Sequence, residues 1–128
     1  MATKKPLVLN TTGAIEQLQA GDALDVLKEF TVPYANAVNI DWSQGDIAVL
    51  TLTGDCTISM QGTRKKCLLR LVQDATGGHA VAFDSTVRFG SDIPSITLST
   101  AGNKVDYIGL VYNGAAGKFD LIAYTRGY

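Results

Sequence analysis

The chain has 128 residues, which is enough for one domain of common size and too few for two sizeable cores. Its 11 basic and 12 acidic residues leave a net charge of -1, so the charge balance does not indicate a nucleic-acid or anionic-membrane partner. Charged residues make up 18% of the chain, against roughly 25% in ordinary soluble domains. This low charge predicts that other chains cover part of the surface.

The first 35 residues show no strong hydrophobic period. We predict that residues 1–35 form an arm with short connecting elements, packed on the main sheets or on a neighbouring subunit. Pro6–Leu9 is the apolar run after the first lysines, and it is too short for the core of a signal peptide. Uncharged runs elsewhere fall below the roughly 18 apolar residues of a spanning helix. We therefore expect a chain that is made in a cytoplasm and does not insert into a membrane.

From residue 36 onward, apolar and polar residues alternate with the period of strands that bury one face. Ile47–Leu52 is apolar at nearly every position, which predicts an interior strand. Ile96 and Leu98 are expected to mark a further short strand. The last two strands are predicted to form an antiparallel hairpin with three facing pairs, namely Tyr112 with Phe119, Leu110 with Leu121, and Ile108 with Ala123.

About eight or nine short strands separated by turn residues predict an all-β fold. The expected architecture is an antiparallel β-sandwich of jelly-roll character over residues 36–128, preceded by the arm of residues 1–35. The residues predicted to lie in or beside its core are Val38, Ile40, Trp42, Val49, Ile58, Leu69, Leu71, Leu110 and Leu121.

The two cysteines occur in successive alternating runs, which suggests an antiparallel pair of strands with Met60 opposite Cys67. In that register Cys56 and Cys67 are four residues apart along the ladder, roughly 13 Å at about 3.3 Å per residue. This separation exceeds the roughly 7 Å Cα limit for a disulfide. Both cysteines are therefore predicted to be buried, reduced thiols.

The sequence contains no motif for nucleophilic catalysis, phosphate binding or zinc binding. His79 is the single histidine and lies in an alternating apolar run, which favours packing over general-base catalysis. Asp41, Asp46 and Asp55 near strand ends leave paired-carboxylate hydrolysis or calcium binding as weaker alternatives. We predict a protein that is not an enzyme and has no cofactor or metal.

Five residues are candidates for contact with a partner. Arg64, Lys65 and Lys66 form a basic cluster between two strands, either as a solvated turn or as a contact with an acidic partner surface. Tyr107 and Tyr124 either pack in the core or an interface or help to line a glycan-binding groove, and the same alternatives hold for Tyr34, Tyr112, Tyr128 and Trp42. No aromatic residues are interleaved with the basic cluster, so nucleic acid is not expected as a partner.

Four segments, in this order, carry a resemblance to a known family: Ala48–Ile58, Leu71–Val81, Leu98–Asp106 and Tyr112–Gly114. They contain the strings TLTGD, QDATGG, LSTAGNKVD and YNG. Together they resemble a β-rich module of tailed-bacteriophage fibres and other virion proteins, over residues 38–124. Their Gly and Asn residues suit tight turns, so the motifs indicate a scaffold more than an activity.

The resemblance implies a structural protein of the virion, made in the host cytoplasm. The first hypothesis is a capsid decoration (cement) or head-fibre protein that binds the major capsid protein or other virion proteins. The alternative is a tail-fibre or receptor-binding tip that recognises host surface glycans. Low surface charge and the symmetry of virion components together predict a homotrimer. Leu7–Ile15 and an aromatic cluster with Tyr107 or Tyr124 are expected to lie between its subunits.

Overall fold

The computed structural model describes residues 28–128, together with the backbone of two short strands nearer the N-terminus. β1 (Leu7–Leu9) and β2 (Ile15–Gln17) pair antiparallel, with Leu9 opposite Ile15. The rest of the predicted arm up to residue 27 lies outside the described residues, and so does most of the subunit contact predicted for Leu7–Ile15. The domain boundary after residue 35 stays a prediction.

Residues 28–128 form strands, loops and one short 3-10 helix, without an α-helix. The elements are β3 (Glu29–Val32), β4 (Ala37–Asp41), the 3-10 helix (Trp42–Gln44), β5 (Ile47–Leu52), β6 (Cys56–Gln61), β7 (Lys66–Gln73), β8 (Val81–Phe83), β9 (Val87–Phe89), β10 (Val105–Asn113) and β11 (Lys118–Thr125). The all-β prediction is therefore confirmed.

Between β3 and β8 the chain alternates between two sheets. β3, β5 and β7 lie side by side and parallel in one sheet, and β4, β6 and β8 do the same in the other. Each successive pair of strands thus adds one strand to each sheet, as in the winding of a parallel β-helix. Equivalent residues lie in register between turns of this winding, since Val38 is opposite Ile58 and Ile58 is opposite Phe83.

The remaining strands complete a six-stranded sheet in the order β3-β5-β7-β10-β11-β9. β10 runs antiparallel to β7 and β11, whereas β9 pairs parallel to β11. The prediction of an antiparallel fold is therefore wrong for most strand pairs, and a jelly roll is not confirmed. Period-two alternation identifies the buried face of a strand but is the same in parallel and antiparallel ladders, so it could not decide the pairing.

The two cysteines lie in different sheets, so the hairpin predicted between their strands is wrong. Cys56 pairs with Val81 in the three-stranded sheet, and Cys67 pairs with Leu110 in the six-stranded sheet. The connection crosses between the sheets through Gly62, whose φ of 107° is open to glycine and strained for other residues. Both thiols are buried and free, as predicted.

The inward faces of the two sheets share one hydrophobic core. Every residue predicted for the core belongs to it except Val49. β5 turns Ala48, Leu50 and Leu52 inward, so Val49 lies half-buried on the opposite face of the strand. β5 has neighbouring strands on both sides, as predicted for an interior strand.

Two of the three predicted pairs in the closing hairpin are confirmed, namely Tyr112 with Phe119 and Leu110 with Leu121. The register shifts between Gly109 and Leu110, so Ala123 lies opposite Gly109 instead of Ile108. This bulge leaves Ile122 without a partner in the ladder. The Ile122 side chain is 59% exposed.

Two loops pack backbone to backbone between the end of β7 and the start of β10. A Cβ on Gly77 would lie 2.4 Å from the Thr100 carbonyl oxygen, and one on Gly102 would lie 2.2 Å from the Ala75 carbonyl oxygen. The Gly78 N–H donates a hydrogen bond to the Thr100 carbonyl oxygen at 2.8 Å. These loops are the QDATGG and LSTAGNKVD segments, so two motifs that are distant in sequence form a single contact.

Two buried polar side chains hold the loops in place. The Gln73 amide nitrogen donates to the carbonyl oxygens of His79 at 2.8 Å and Ser99 at 3.0 Å. The Asp106 carboxylate accepts from the backbone N–H and the hydroxyl of Ser99, both at 2.7 Å, and from the Gly127 N–H at 3.0 Å. Burial of these polar groups is tolerated because each is hydrogen-bonded.

The short strand predicted around Ile96 and Leu98 is wrong. Leu98 is buried, as its alternation suggested. However, the Thr97 N–H donates to the Tyr124 hydroxyl at 3.0 Å, and the Ser99 N–H donates to a buried carboxylate. Because these N–H groups bond to side chains, this segment does not pair with a neighbouring strand.

Replacing Gly77 by alanine should destabilise the fold much more than replacing Gly78. Their φ angles are nearly equal, at 72° and 76°, so both alanines carry the same strain of about 1–2 kcal/mol. Only at Gly77 does the new Cβ meet a backbone oxygen, whereas nothing lies within 4 Å at Gly78. We expect Gly77→Ala to lower the free energy of unfolding in urea by about 2 kcal/mol more than Gly78→Ala. Equal losses would contradict the loop contact.

Candidate functional site

The basic corner lies at one end of the two sheets and consists of Arg64 and Lys65, in the connection from β6 to β7, and Lys66, the first residue of β7. Arg64 Nε donates to the Trp42 carbonyl oxygen at 2.7 Å, and Nη1 forms an ion pair with Asp46 at 2.9 Å. Lys65 and Lys66 are exposed and form no salt bridge within residues 28–128. Arg64 therefore holds the loop, while the two lysines present positive charge to solvent.

The tip of the closing hairpin lies beside the basic corner. Lys65 Nζ is 5.4 Å from the centre of the Tyr112 ring, and the Lys65 carbonyl oxygen accepts a hydrogen bond from the Tyr112 N–H at 2.9 Å. Asn113 Oδ1 accepts from the N–H groups of Ala115 and Ala116, both at 3.1 Å, and so orders the turn. An exposed cation and an aromatic ring are thus held together on an ordered scaffold.

A cavity of about 510 Å³ opens between the basic corner and the 3-10 helix. The residues that line it are Trp42, Ser43, Gly62, Thr63, Arg64 and Lys65. Hydroxyl, guanidinium and ammonium groups therefore surround a concave space. Concave sites with a few convergent polar groups are the usual form of small-ligand sites.

Tyr107 lies on the outer face of the six-stranded sheet, away from the core. Arg70 Nε donates to the Tyr107 hydroxyl at 3.2 Å, and the guanidinium lies 5.4 Å from the ring centre. The Tyr128 ring packs edge-on at 5.6 Å, and Arg70 also forms an ion pair with Glu29. Tyr107 thus belongs to a polar and aromatic group on this face.

Tyr124 points to the opposite face of the same hairpin. It pairs with the buried Ile108, whereas Tyr107 pairs with Thr125. Its ring packs against the core, and its hydroxyl makes hydrogen bonds with the backbone of Thr97. Because neighbouring residues of a strand face opposite sides, Tyr107 and Tyr124 do not form one aromatic cluster.

The five predicted contact residues therefore occupy three separate places. Lys66 pairs with Val111, and Arg70 pairs with Tyr107, four positions further along the ladder. The basic corner and Tyr107 are thus separated by roughly 13 Å. Tyr112 lies at the corner but is not among the five predicted contact residues. Its place just before the hairpin turn was the signal that could have drawn attention to it.

His79 supports a loop in this structure. Its Nε2 lies 2.9 Å from Asp74 Oδ1, which also accepts from the N–H groups of Gly77 at 3.0 Å and Thr76 at 3.1 Å. The hydrogen bond from Gly77 is the main reason why the pKa of Asp74 lies below its ordinary value, and the contact with His79 lowers it further. The Asp74 carboxylate thus stabilises the loop in its charged form.

The thiols have little nucleophilic character. Burial raises the pKa of Cys67 to about 12, and burial also raises the pKa of Cys56 above its ordinary value. Both thiols are therefore protonated at neutral pH.

Within residues 28–128, no three His, Cys, Asp or Glu side chains are grouped to hold a metal ion. No helix in that range is long and apolar enough to cross a membrane.

Comparison with known proteins gives a match to one family. A family model described as "Putative phage tail fibre C-terminal domain" matches residues 30–117. The matched residues run from β3 to the tip of the closing hairpin, and they include both packed loops and the basic corner. A search of curated proteins found no match to this chain.

The match bears on the two functions that the sequence suggested. It supports the prediction of a phage virion protein, and it favours the tail-fibre alternative. Capsid decoration, the first hypothesis, is not supported. The predicted architecture, a small β-domain preceded by an arm, does not determine where in a virion the module is used.

The pH dependence of stability should reveal the role of Asp74. Because its pKa is lower in the folded chain, its charge stabilises the fold above the unfolded pKa, and this contribution is lost as the pH falls through the folded pKa. Asp74→Asn removes the titration. We therefore expect the gap in unfolding free energy between wild type and Asp74→Asn to shrink as the pH falls from about 5 to about 2. A gap that stays constant over this interval would exclude the role.

Proposed function

The chain belongs to the family of phage tail fibre C-terminal domains and is therefore a virion component. On the basis of this membership, we propose that the chain contacts the host and binds acidic surface glycans through the basic corner. The observation that carries the proposal is the position of Lys65, which is exposed, lies against Tyr112 and lines the cavity beside it. The ligand class is a saccharide that carries carboxylate or phosphate groups.

The chemistry of the corner suits such a ligand. Lys65 and Lys66 offer positive charge that no described carboxylate neutralises, and charge of this kind steers and orients an anionic partner. The Tyr112 ring is half-buried and packs on the Phe119 ring at 4.9 Å between centres, so it supplies a fixed aromatic surface with a polar edge. Arg64 is already paired with Asp46, so its part is to position the loop.

The assembly that we propose is a homotrimer, with Tyr107 near the subunit contacts and other virion proteins as neighbours. The low charge of the chain and the half-buried Tyr107 on the outer face support this proposal.

We also propose that the chain binds without catalysis and without a cofactor, because the sequence contains no catalytic motif. Tyr124 is removed from the proposed contacts, since its ring packs against the core and its hydroxyl is already hydrogen-bonded to the backbone of Thr97.

Reversing the charge of Lys65 should weaken binding to host cells. The purified chain is measured for binding to whole host cells and to their extracted surface glycans, as wild type, Lys65→Glu and Lys104→Glu. Lys104 is an exposed lysine outside the basic corner, so its variant carries the same change in net charge. We expect Lys65→Glu to reduce affinity about tenfold and Lys104→Glu to leave it nearly unchanged.

Two results would contradict this proposal. Equal effects of the two variants would show that the basic corner is not the site. Binding to expanded capsids without any binding to host cells would restore the capsid-decoration hypothesis.

The homotrimer is tested by light scattering at micromolar concentration. A trimer should have three times the chain mass of 13.6 kDa, and Tyr107→Asp should reduce the trimer fraction because it places a charge in the subunit contact. Thr57→Asp, on an exposed position of the three-stranded sheet, is the matched control. A mass near that of the single chain would exclude the trimer.

A further inference from the structure

The outer face of the six-stranded sheet carries an apolar groove of about 280 Å³, called here the outer groove. Its lining is mainly apolar and consists of Ile47, Cys67, Leu68, Gly109, Leu110, Val111 and Ile122, with Asp46 and Lys66 at the rim. Gly109 has no side chain, which leaves the floor open, and the exposed Ile122 forms one wall. No described residue closes this groove.

The strands beneath the groove have the composition of strands covered on both faces. Their outward residues at the groove are apolar, namely Ile47 in β5, Leu68 in β7 and Val111 in β10, whereas Arg70 and Tyr107 lie farther along the same face. Strands that are apolar on both faces occur in sheets packed on both sides. An apolar patch of this kind on a domain surface marks a place where another segment or chain binds.

The chain enters the described structure at the rim of this groove. The Lys28 carbonyl oxygen accepts hydrogen bonds from the N–H groups of Asp46 at 2.8 Å and Ile47 at 3.1 Å. The Lys28 N–H donates to the Asp46 carboxylate at 3.1 Å. A Cβ on Gly45 would lie 2.5 Å from the Lys28 carbonyl oxygen, so the backbone is held closely here. The continuously described part of the chain therefore begins at the rim of the groove, and residues 1–27 are joined to it at Lys28.

The tethered segment has the length and composition to fill the groove. Even a third of residues 1–27, extended at about 3.3 Å per residue, would span a groove of this volume. The segment contains the apolar run Leu7–Leu9, and β1 pairs with β2 to form an isolated two-stranded sheet. Such a sheet is marginally stable alone and needs a surface to pack on.

We propose that residues 1–27 fold back over the outer groove of the same chain and cover it. The tether at Lys28 favours the same chain over a second copy, because a short connection raises the effective concentration of the segment to the millimolar range. Lys66 lies at the rim of the groove and also belongs to the basic corner. Lys65 and Tyr112, on which the glycan proposal depends, meet at the hairpin tip and do not line the groove.

The test places a photo-crosslinking amino acid, benzoylphenylalanine, at Ile122 in the full chain. Crosslinked peptides are identified by mass spectrometry in an equal mixture of ¹⁴N- and ¹⁵N-labelled protein. We expect crosslinks from position 122 to residues 1–27, each joining two peptides with the same nitrogen label. The same probe at Thr57, which is exposed on the three-stranded sheet, should give no crosslink to residues 1–27.

Two outcomes would overturn the proposal. Crosslinks that join one light and one heavy peptide would assign the groove to a second copy. Failure of position 122 to capture residues 1–27 at all would leave the groove to a different partner.

Hydrogen exchange provides a second, independent measurement. Ile122→Asp places a charge in the groove, so we expect amide exchange in residues 7–17 to become about tenfold faster than in wild type. Thr57→Asp is the matched control and should leave these rates unchanged. Exchange in residues 7–17 that does not respond to Ile122→Asp would contradict the docking, provided that exchange in β5 and β7 shows the variant to be folded.

Discussion

The contact between the two glycine loops is the constraint on which the closing half of the fold depends. Gly77 and Gly102 each bring a main chain so close to the other loop that no side chain fits between them. Hydrogen bonds that the buried Gln73 side chain donates and the buried Asp106 carboxylate accepts oppose the separation of the loops. Because the contact holds the end of β7 beside the start of β10, Val72 lies opposite Val105 and the strand direction reverses. The parallel winding ends there, and the antiparallel hairpin begins.

The same reversal determines which surfaces the molecule presents. β10 returns along β7, so the hairpin tip arrives where β7 starts, and Tyr112 meets Lys65 there. The return also brings Gly109 and Val111 of β10 beside Leu68 of β7, which produces the outer groove. One topological feature therefore generates two surfaces of different chemistry. One combines charge with an aromatic ring, whereas the other is nearly without polar groups.

Much of the burial could be predicted because alternation is a local property. The core residues, the buried thiols and the centre of the closing hairpin follow from which positions of a strand face the same side. The burial of Val49 could not be predicted in this way, because its strand is apolar on both faces and alternation does not indicate which face meets the core. The pairing of Ala123 with Gly109 could not be predicted either, since the extra residue of the bulge shifts the register without changing the composition of the strand.

The all-β class, most of the buried positions and the resemblance to phage virion modules follow from the chain alone, because each depends on local pattern or on short motifs. Three features emerge only in the folded molecule: the strands wind in parallel, Cys56 and Cys67 belong to different sheets, and Lys65 lies against Tyr112. The difference arises because the residues of a pleated strand show which of its faces is buried, whereas the route of the connections determines which strand lies beside it. That route depends on contacts between distant residues, such as Arg64 with Asp46, which exist only once the chain has folded.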